Sequence, residues 1–253
     1  MFFAFDVDGT LTPSRQRIDP DFEQWFIRWM EAVQEKGHSV LLVTGSDLSK
    51  TVEQLGEQIV SSVDYCCNCL GNYVLHKNKL IHDYQFIPPS ELLLFLENEL
   101  AASPYTERYG NHIENRGSMI NFSVVGRNAV GDERTRYYEW DKLSCERLTI
   151  ADKVNQQFNT VSAQAGGETG IDIIPKGCDK RQVITYMEKQ KVWFFGDRLD
   201  DGGNDKPLAD ALLQSDTSSE AFHVGSWQET WEILKDITVN DLKIFSFLSG
   251  KLK

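Results

Sequence analysis

Nowhere in the 253 residues does an apolar run approach the roughly 20 needed to cross a bilayer, so no membrane-spanning helix is expected. Positive charge is also scarce. Lys and Arg number 26 against 38 Asp and Glu, a formal net charge of −12, which excludes a broad surface for nucleic acid or anionic membrane. A few arginines gathered in one pocket could still bind an anion. The start, Met1-Phe2-Phe3-Ala4-Phe5, meets Asp6 without the basic segment and long apolar stretch of a signal peptide, so a cytoplasmic location is expected. Five cysteines, an odd number in a long chain, fit a reducing compartment better than a disulfide framework. Cys66-Cys67-Asn68-Cys69 holds one CxxC spacing, but no second pair follows to complete the four ligands of a structural zinc site. Beside Val63 and Leu70 these thiols read as small apolar residues on a buried strand.

What is present is a strand–helix rhythm at both ends of the chain. Phe2–Phe5 is a short apolar run of the kind found in a buried parallel strand. Asp19 and Pro20 open a helix to about Lys36 with Phe22, Phe26, Trp29, Met30 and Val33 on one face. Val40–Val43 reads as a strand, followed by a helix to about Ile59, a strand around Val63–Cys69, and a hairpin of Tyr73–His76 and Lys79–His82. The middle differs. A helix from Ser90 to about Leu100 precedes strand formers over Ile113–Val125, a long helical pattern from about Asp132 to Phe158, and strands at Thr160–Ala165 and Gly170–Ile174. After Cys178 come a helix to Gln190, the strand Val192–Phe195, a helix near Pro207–Leu213, a strand near Ala221–Val224, the helix Trp227–Lys235, and a short tail after Asn240. The expectation is an α/β fold: a Rossmann-like parallel-sheet core domain, residues 1–84 and 177–253, with an inserted α+β cap domain over 85–176. Ligands of such a sheet sit beyond the carboxyl ends of its strands, where Asp6 and Thr44 fall.

Four segments suit phosphoryl chemistry. In Asp6-Val7-Asp8-Gly9-Thr10 two carboxylates follow a buried strand, a pair that repels itself unless a cation or proton intervenes. A carboxylate there can be the covalent nucleophile toward phosphorus and its neighbour the general acid or base. Thr44-Gly45-Ser46 brings hydroxyls and backbone amides to a strand end that opens a helix, a cradle for phosphate. Lys180, in the first turn of a helix, could neutralise phosphate or nucleophile. Gly196-Asp197 and Gly202-Gly203-Asn204-Asp205 add acids after another buried strand, and Asp6 with Asp197 would suffice for magnesium. Arg116, Arg127 and Arg134 in the middle segment could grip a second phosphate away from the metal.

The order of these four motifs resembles the haloacid dehalogenase-like superfamily. That resemblance implies Asp6 as nucleophile, Asp8 as acid/base, and Mg2+ held by Asp6, the Asp8 backbone carbonyl and Asp197. It further implies Thr44 and Lys180 on the transferring phosphoryl group, with Asp205 orienting the metal shell. Asn115-Arg116-Gly117-Ser118-Met119-Ile120-Asn121, Gly126-Arg127, Asp132-Glu133-Arg134, Thr12-Pro13-Ser14-Arg15-Gln16 and Phe194-Phe195-Gly196-Asp197 resemble the eukaryotic-type phosphomannomutases. This implies that Arg15, Arg116, Arg127, Arg134 and Asp172 contact a phosphorylated hexose, that a hexose 1,6-bisphosphate serves as activator, and that a homodimer forms through the cap. Two departures bear on which hexose is taken: Gly170 stands where the family carries serine, and Cys69-Leu70-Gly71 where it carries Glu-Asn-Gly. The expected activity is interconversion of hexose 1-phosphate and hexose 6-phosphate through an aspartyl phosphate. The nearest rival is a magnesium-dependent sugar-phosphate phosphatase with the same nucleophile; a non-catalytic binder would have no need of Asp6, Asp8, Lys180 and Asp197 together.

Overall fold

Strand β1 (Phe2–Phe5) is buried along its whole length and lies between two parallel neighbours, β10 (Val192–Gly196) and β2 (Ser39–Val43). The computed structural model describes residues 1–187 and 189–240, and the tail expected after Asn240 falls outside them. The first sheet has seven strands in the order β11-β10-β1-β2-β3-β4-β5, with β3 (Tyr65–Asn68), β4 (Tyr73–His76), β5 (Lys79–Asp83) and β11 (Glu220–His223). It is parallel from β11 to β3, and the β4–β5 hairpin extends it antiparallel.

Alternation along these strands builds two apolar faces. Phe3, Phe5, Val40 and Leu42 pack with Phe22, Phe26, Trp29 and Val33 of α1 (Pro20–Glu35), Leu55 and Ile59 of α2 (Leu48–Ser62), and Leu234 of α7 (Trp227–Asn240). On the other face Phe2, Ala4, Leu41, Val43 and Phe194 meet Leu208 and Leu212 of α6 (Lys206–Leu213) and Val183. Phe5 stacks on Phe195 at 5.0 Å and meets Phe26 edge-on at 5.4 Å, so β1 and β10 are locked side by side where their carboxyl ends carry Asp6 and Asp197. The order of strands reverses at β1, and the crevice that such a reversal opens is where ligands of parallel sheets bind.

Between β5 and β10 the chain makes a second sheet of four antiparallel strands, ordered β6 (Ile113–Asn115), β7 (Ile120–Phe122), β9 (Gly170–Pro175), β8 (Val161–Gly166). Ile120, Phe122, Val161, Ala163, Ile171 and Ile173 face Leu92 and Leu96 of α3 (Ser90–Ala102), Tyr137 of α4 (Asp132–Ser144), and Ile150 and Val154 of α5 (Glu146–Gln157). The architecture is thus a parallel-sheet core with helices on both faces and an α+β cap inserted in the chain, as the sequence predicts.

Three elements depart from expectation. The single helix predicted from Asp132 to Phe158 is two, because Cys145 adopts a left-handed conformation with φ 54°. Asp141 drives the break: its carboxylate accepts from the backbone N–H of Arg147 at 2.9 Å, an amide that a continuous helix would bond internally, and from Arg147 Nε at 2.7 Å. The helix predicted from Cys178 to Gln190 is instead a 3₁₀ turn over Lys180–Tyr186, opened by the Asp179 carboxylate accepting from the backbone N–H of Arg181. The strand expected around Val63–Cys69 is confined to β3, because Cys69 and Leu70 turn left-handed at φ 49° and 61°. All five cysteines are free; Cys66 and Cys67 sit buried on β3, and Cys69 is buried in the turn after it.

Candidate active site

The carboxyl ends of β1, β2 and β10 converge on one cavity of about 750 Å3, bounded on its other side by the polar face of the cap sheet. The core side contributes Asp6, Asp8, Arg15, Thr44 and Asp197; the cap side contributes Arg116, Arg127, Arg134 and Asp172. Ten residues singled out in the sequence, counting Lys180 at the base, therefore come together within or directly beneath this space.

At its base Lys180, fully buried, donates from Nζ to Asp6 Oδ1 and to Asp205 Oδ1, each at 2.6 Å. Burial acts to lower the lysine pKa, but Asp205 and Asp6 outweigh it and hold the ammonium protonated. Asp6, Asp197 and Asp205 each present an oxygen within 4.8 Å of the others, a spacing that suits a hard cation with carboxylate ligands. One lysine among three carboxylates leaves excess negative charge there. Burial, Asp205 and Asp197 push Asp6 well above the ordinary carboxylate range against the pull of Lys180, and burial together with Asp205 raises Asp197 to about 7. A divalent ion would relieve that strain, so the donor set fits magnesium.

Glycine makes this crowding possible. Gly9 turns at φ 79°, and a Cβ there would stand 2.5 Å from Asp197 Oδ2. A Cβ at Gly196, the last residue of β10, would come within 2.7 Å of Asp205 Oδ2, so both backbone segments must pass the carboxylates bare.

The turn at Gly9 sends Asp8 away from the carboxylate cluster. Its Oδ1 accepts from the Arg15 backbone N–H at 2.6 Å and from Gln54 Nε2 at 2.8 Å, and Oδ2 accepts from Ser46 Oγ at 3.4 Å. Gln54, on α2, escaped the sequence reading, since nothing in its own neighbourhood marks it as a partner of Asp8. Thr44, 1% exposed, is pinned at the end of β2: its N–H donates to Cys67 O and its Oγ1 accepts from the Ser46 N–H at 3.0 Å, leaving the hydroxyl proton for a ligand.

The opposite wall is guanidinium-rich. Arg116 and Arg127 share Glu114, at 2.8 and 3.1 Å, and Arg134 pairs with Glu168 at 3.1 Å while donating to Thr169 Oγ1. Burial, then Arg116 and Arg15, lowers Arg127 to about 10; burial, then Arg134, lowers Arg15. Against burial, Asp172 and Glu114 raise Arg116, so the acids present favour one guanidinium over the others, and a phosphate dianion would supply Arg15 and Arg127 with the negative charge they lack. Glu114 was not singled out in the sequence either, although its place two residues before Arg116 was visible there.

Two bonds join cap to core around the cavity. Arg116 Nη1 donates to Gly45 O at 3.2 Å, and Arg198 Nη1 donates to Gly167 O at 3.2 Å. The 166–170 turn that receives the second is braced from the cap by buried Arg147, which donates to Gly167 O at 2.8 Å and is neutralised by Asp141.

The sequence pattern of the family described as eukaryotic phosphomannomutase matches residues 28–240. A phosphomannomutase of Oryza sativa subsp. indica is 33% identical over 211 residues, 79% of this chain and 83% of that one. One from Arabidopsis thaliana is 34% identical over 211 residues, with the same shares of 79% and 83%. Among solved structures, a haloacid dehalogenase-like hydrolase from Bacteroides thetaiotaomicron superposes with TM-score 0.58 at 14% identity, covering 93% of this chain and 98% of that one, a likeness of fold alone. With the family pattern and these relatives both running over most of its length, the chain belongs to the eukaryotic phosphomannomutase family.

Proposed function

We propose that this protein is a phosphohexomutase that interconverts mannose 1-phosphate and mannose 6-phosphate through an aspartyl phosphate on Asp6. The observation that carries the reading is the single cavity with a carboxylate pole at one end and four arginines, Arg15, Arg116, Arg127 and Arg134, toward the other. A hexose carrying two phosphates fits such a space in either of two orientations, which is what a mutase requires.

Phosphorylated Asp6 gives its phosphoryl group to the free hydroxyl of a hexose monophosphate: the new O–P bond forms at the sugar oxygen as the Asp6 O–P bond breaks. Asp8 takes the hydroxyl proton, its carboxylate aimed by Gln54, Ser46 and the Arg15 amide. The hexose 1,6-bisphosphate then presents its other phosphate, the Asp6 carboxylate attacks that phosphorus, and Asp8 returns the proton to the departing sugar oxygen. Added bisphosphate would prime unphosphorylated enzyme by the same half-reaction. Thr44 donates to the transferring phosphoryl oxygens and Lys180 compensates the charge on Asp6, while the arginines hold the distal phosphate and Asp172 the sugar. Mg2+, when bound by Asp6, Asp197 and the Asp8 backbone carbonyl with Asp205 behind them, supplies neutralisation of phosphoryl charge.

We place the domain boundaries at 1–84, 85–176 and 177–253, with the protein in the cytoplasm as a homodimer formed through the cap. Support for the location is that, among the described residues, no helix is long and apolar enough to cross a membrane. Support for the dimer is the exposure of Ile87, Leu94 and Leu143 on the inserted segment, at 88%, 59% and 90%.

The deciding experiment supplies magnesium, mannose 1-phosphate and a trace of hexose bisphosphate, and follows mannose 6-phosphate and free phosphate together. Mannose 6-phosphate with little free phosphate is expected, and Asp6→Asn abolishes it while the circular dichroism spectrum stays unchanged. Stoichiometric release of free phosphate would replace the mutase by a phosphatase in which water is the acceptor.

A further inference from the structure

A single row of paired residues crosses the cavity-facing side of the cap sheet. Glu114 on β6 lies opposite Asn121 on β7, Asn121 opposite Asp172 on β9, and Asp172 opposite Gln164 on β8. Their strand neighbours Ile120, Phe122, Ile171 and Ile173 point to the buried face, so period-two alternation alone commits this row to the other side. Glu114, Asn121 and Asp172 line the cavity.

Within the row, Glu114 is occupied by Arg116 and Arg127. Asp172 Oδ1 accepts from Asn121 Nδ2 at 2.7 Å. Because a carboxylate can only accept, that bond sets the orientation of the amide and turns Asn121 Oδ1 away from Asp172. The oxygen has no donor in the protein, although Asn121 is only 3% exposed. A buried acceptor left without a donor is costly, and a ligand hydroxyl in the cavity would satisfy it.

Gly170 allows the arrangement. A Cβ at that position would stand 2.7 Å from Asn121 Nδ2 and 3.2 Å from its Oδ1, so the amide lies in the space a side chain at 170 would take. This is the position where the family resemblance expects a serine, and the polar group present there in this chain comes instead from across the sheet.

We infer that Asn121 is a specificity-determining residue whose Oδ1 accepts a hydrogen bond from one ring hydroxyl of the bound hexose phosphate. The inference rests on the hexose phosphate reading of the cavity given above. Asp172 fixes the amide, Gly170 gives it room, and the arginines set the distance at which the sugar ring meets it.

The test compares the full-length protein with Asn121→Ala and Gly170→Ala, reading KM and kcat with magnesium. The substrates are mannose 1-phosphate and its analogues lacking one ring hydroxyl each. Asn121→Ala should raise KM for mannose 1-phosphate about tenfold with a smaller change in kcat, and one deoxy analogue should show no further loss in the variant. Gly170→Ala keeps the amide but displaces it, and should reproduce both the KM rise and the insensitivity to that same hydroxyl. It also serves as the readout if Asn121→Ala does not fold. Losses that simply add for every analogue would reduce Asn121 to a brace for Asp172 and overturn the inference, as would an unchanged KM in Gly170→Ala. Turnover can be followed as mannose 6-phosphate or as free phosphate. Failure of the mutase reading would therefore appear in the identity of the product, and failure of this inference in the pattern of KM.

Discussion

The two ends of the cavity solve opposite electrostatic problems. At the core end Asp6, Asp197 and Asp205 crowd around one lysine, with a surplus of negative charge that raises the carboxylate pKa values. At the cap end Arg116, Arg127 and Arg134 gather with Arg15 of the core, and burial with neighbouring guanidiniums lowers Arg15 and Arg127. Each end is incomplete alone: the first calls for a cation, the second for an anion. A magnesium ion and a phosphorylated sugar would complete both, and neither needs the broadly basic surface that the net charge of −12 forbids. The contrast separates chemistry from recognition. In the proposed mechanism the core end faces the atoms that react, and the cap end the part of the substrate that does not.

Breaking the core end should have the largest effect. Lys180→Met leaves two buried carboxylates without their cation, and turnover should fall by about a thousandfold or more, read as mannose 6-phosphate formation at saturating substrate. At the cap end, Arg134→Ala should lower mutase kcat/KM about a hundredfold and hydrolysis of a small aryl phosphate less than about threefold. Equal losses on both substrates would erase the division between the poles. The core end can also be probed without mutation. Asp197 carries its proton up to about 7, and only the ionised carboxylate binds metal. Raising pH through that value frees the ligand, so magnesium affinity should fall about tenfold per pH unit below about 7 and level off above it, with proton release on binding seen by calorimetry in two buffers. The smallest effect on turnover belongs to Arg147→Met. It breaks the buried pair with Asp141 and should cost about 3–5 kcal/mol of stability, measured by denaturant unfolding, while kcat drops less than about tenfold. A variant as stable as the parent would show that the pair is not what holds the 166–170 turn.

How much could be read beforehand differs between the same two ends. At the core the residues follow buried strands in a fixed order, and strand ends in a parallel sheet converge by construction, so Asp6, Thr44 and Asp197 were legible as one site. Lys180 was legible as a cation but not as a bridge between Asp6 and Asp205, since the 3₁₀ turn that aims it was expected to be a helix. In the cap the arginines stood out, but their partners did not. Glu114 is an ordinary acid in sequence, and only its register on β6 brings it between Arg116 and Arg127. Gln54 gave no signal at all, because the contact that matters to Asp8 joins residues 46 positions apart. The missed break at Cys145 has the same origin: Asp141 accepts two bonds from a residue six positions on, a local competition that apolar periodicity does not report.

By itself the order of residues settled the chemical class. A DxDGT segment after an apolar strand, a strand-end threonine, a lysine and a late Gly-Asp suit phosphoryl transfer wherever the backbone brings them together, and apolar alternation is enough to build the sheet that does so. Tertiary structure decided the division of labour. It turned Asp8 from the metal cluster toward Gln54, put Asp205 behind Lys180 rather than in the cavity, and let the Asn121 amide into the space left bare by Gly170. These choices depend on distances of a few ångströms between segments far apart in the chain, and such distances follow from packing and sheet register rather than from the identity of any neighbour in sequence.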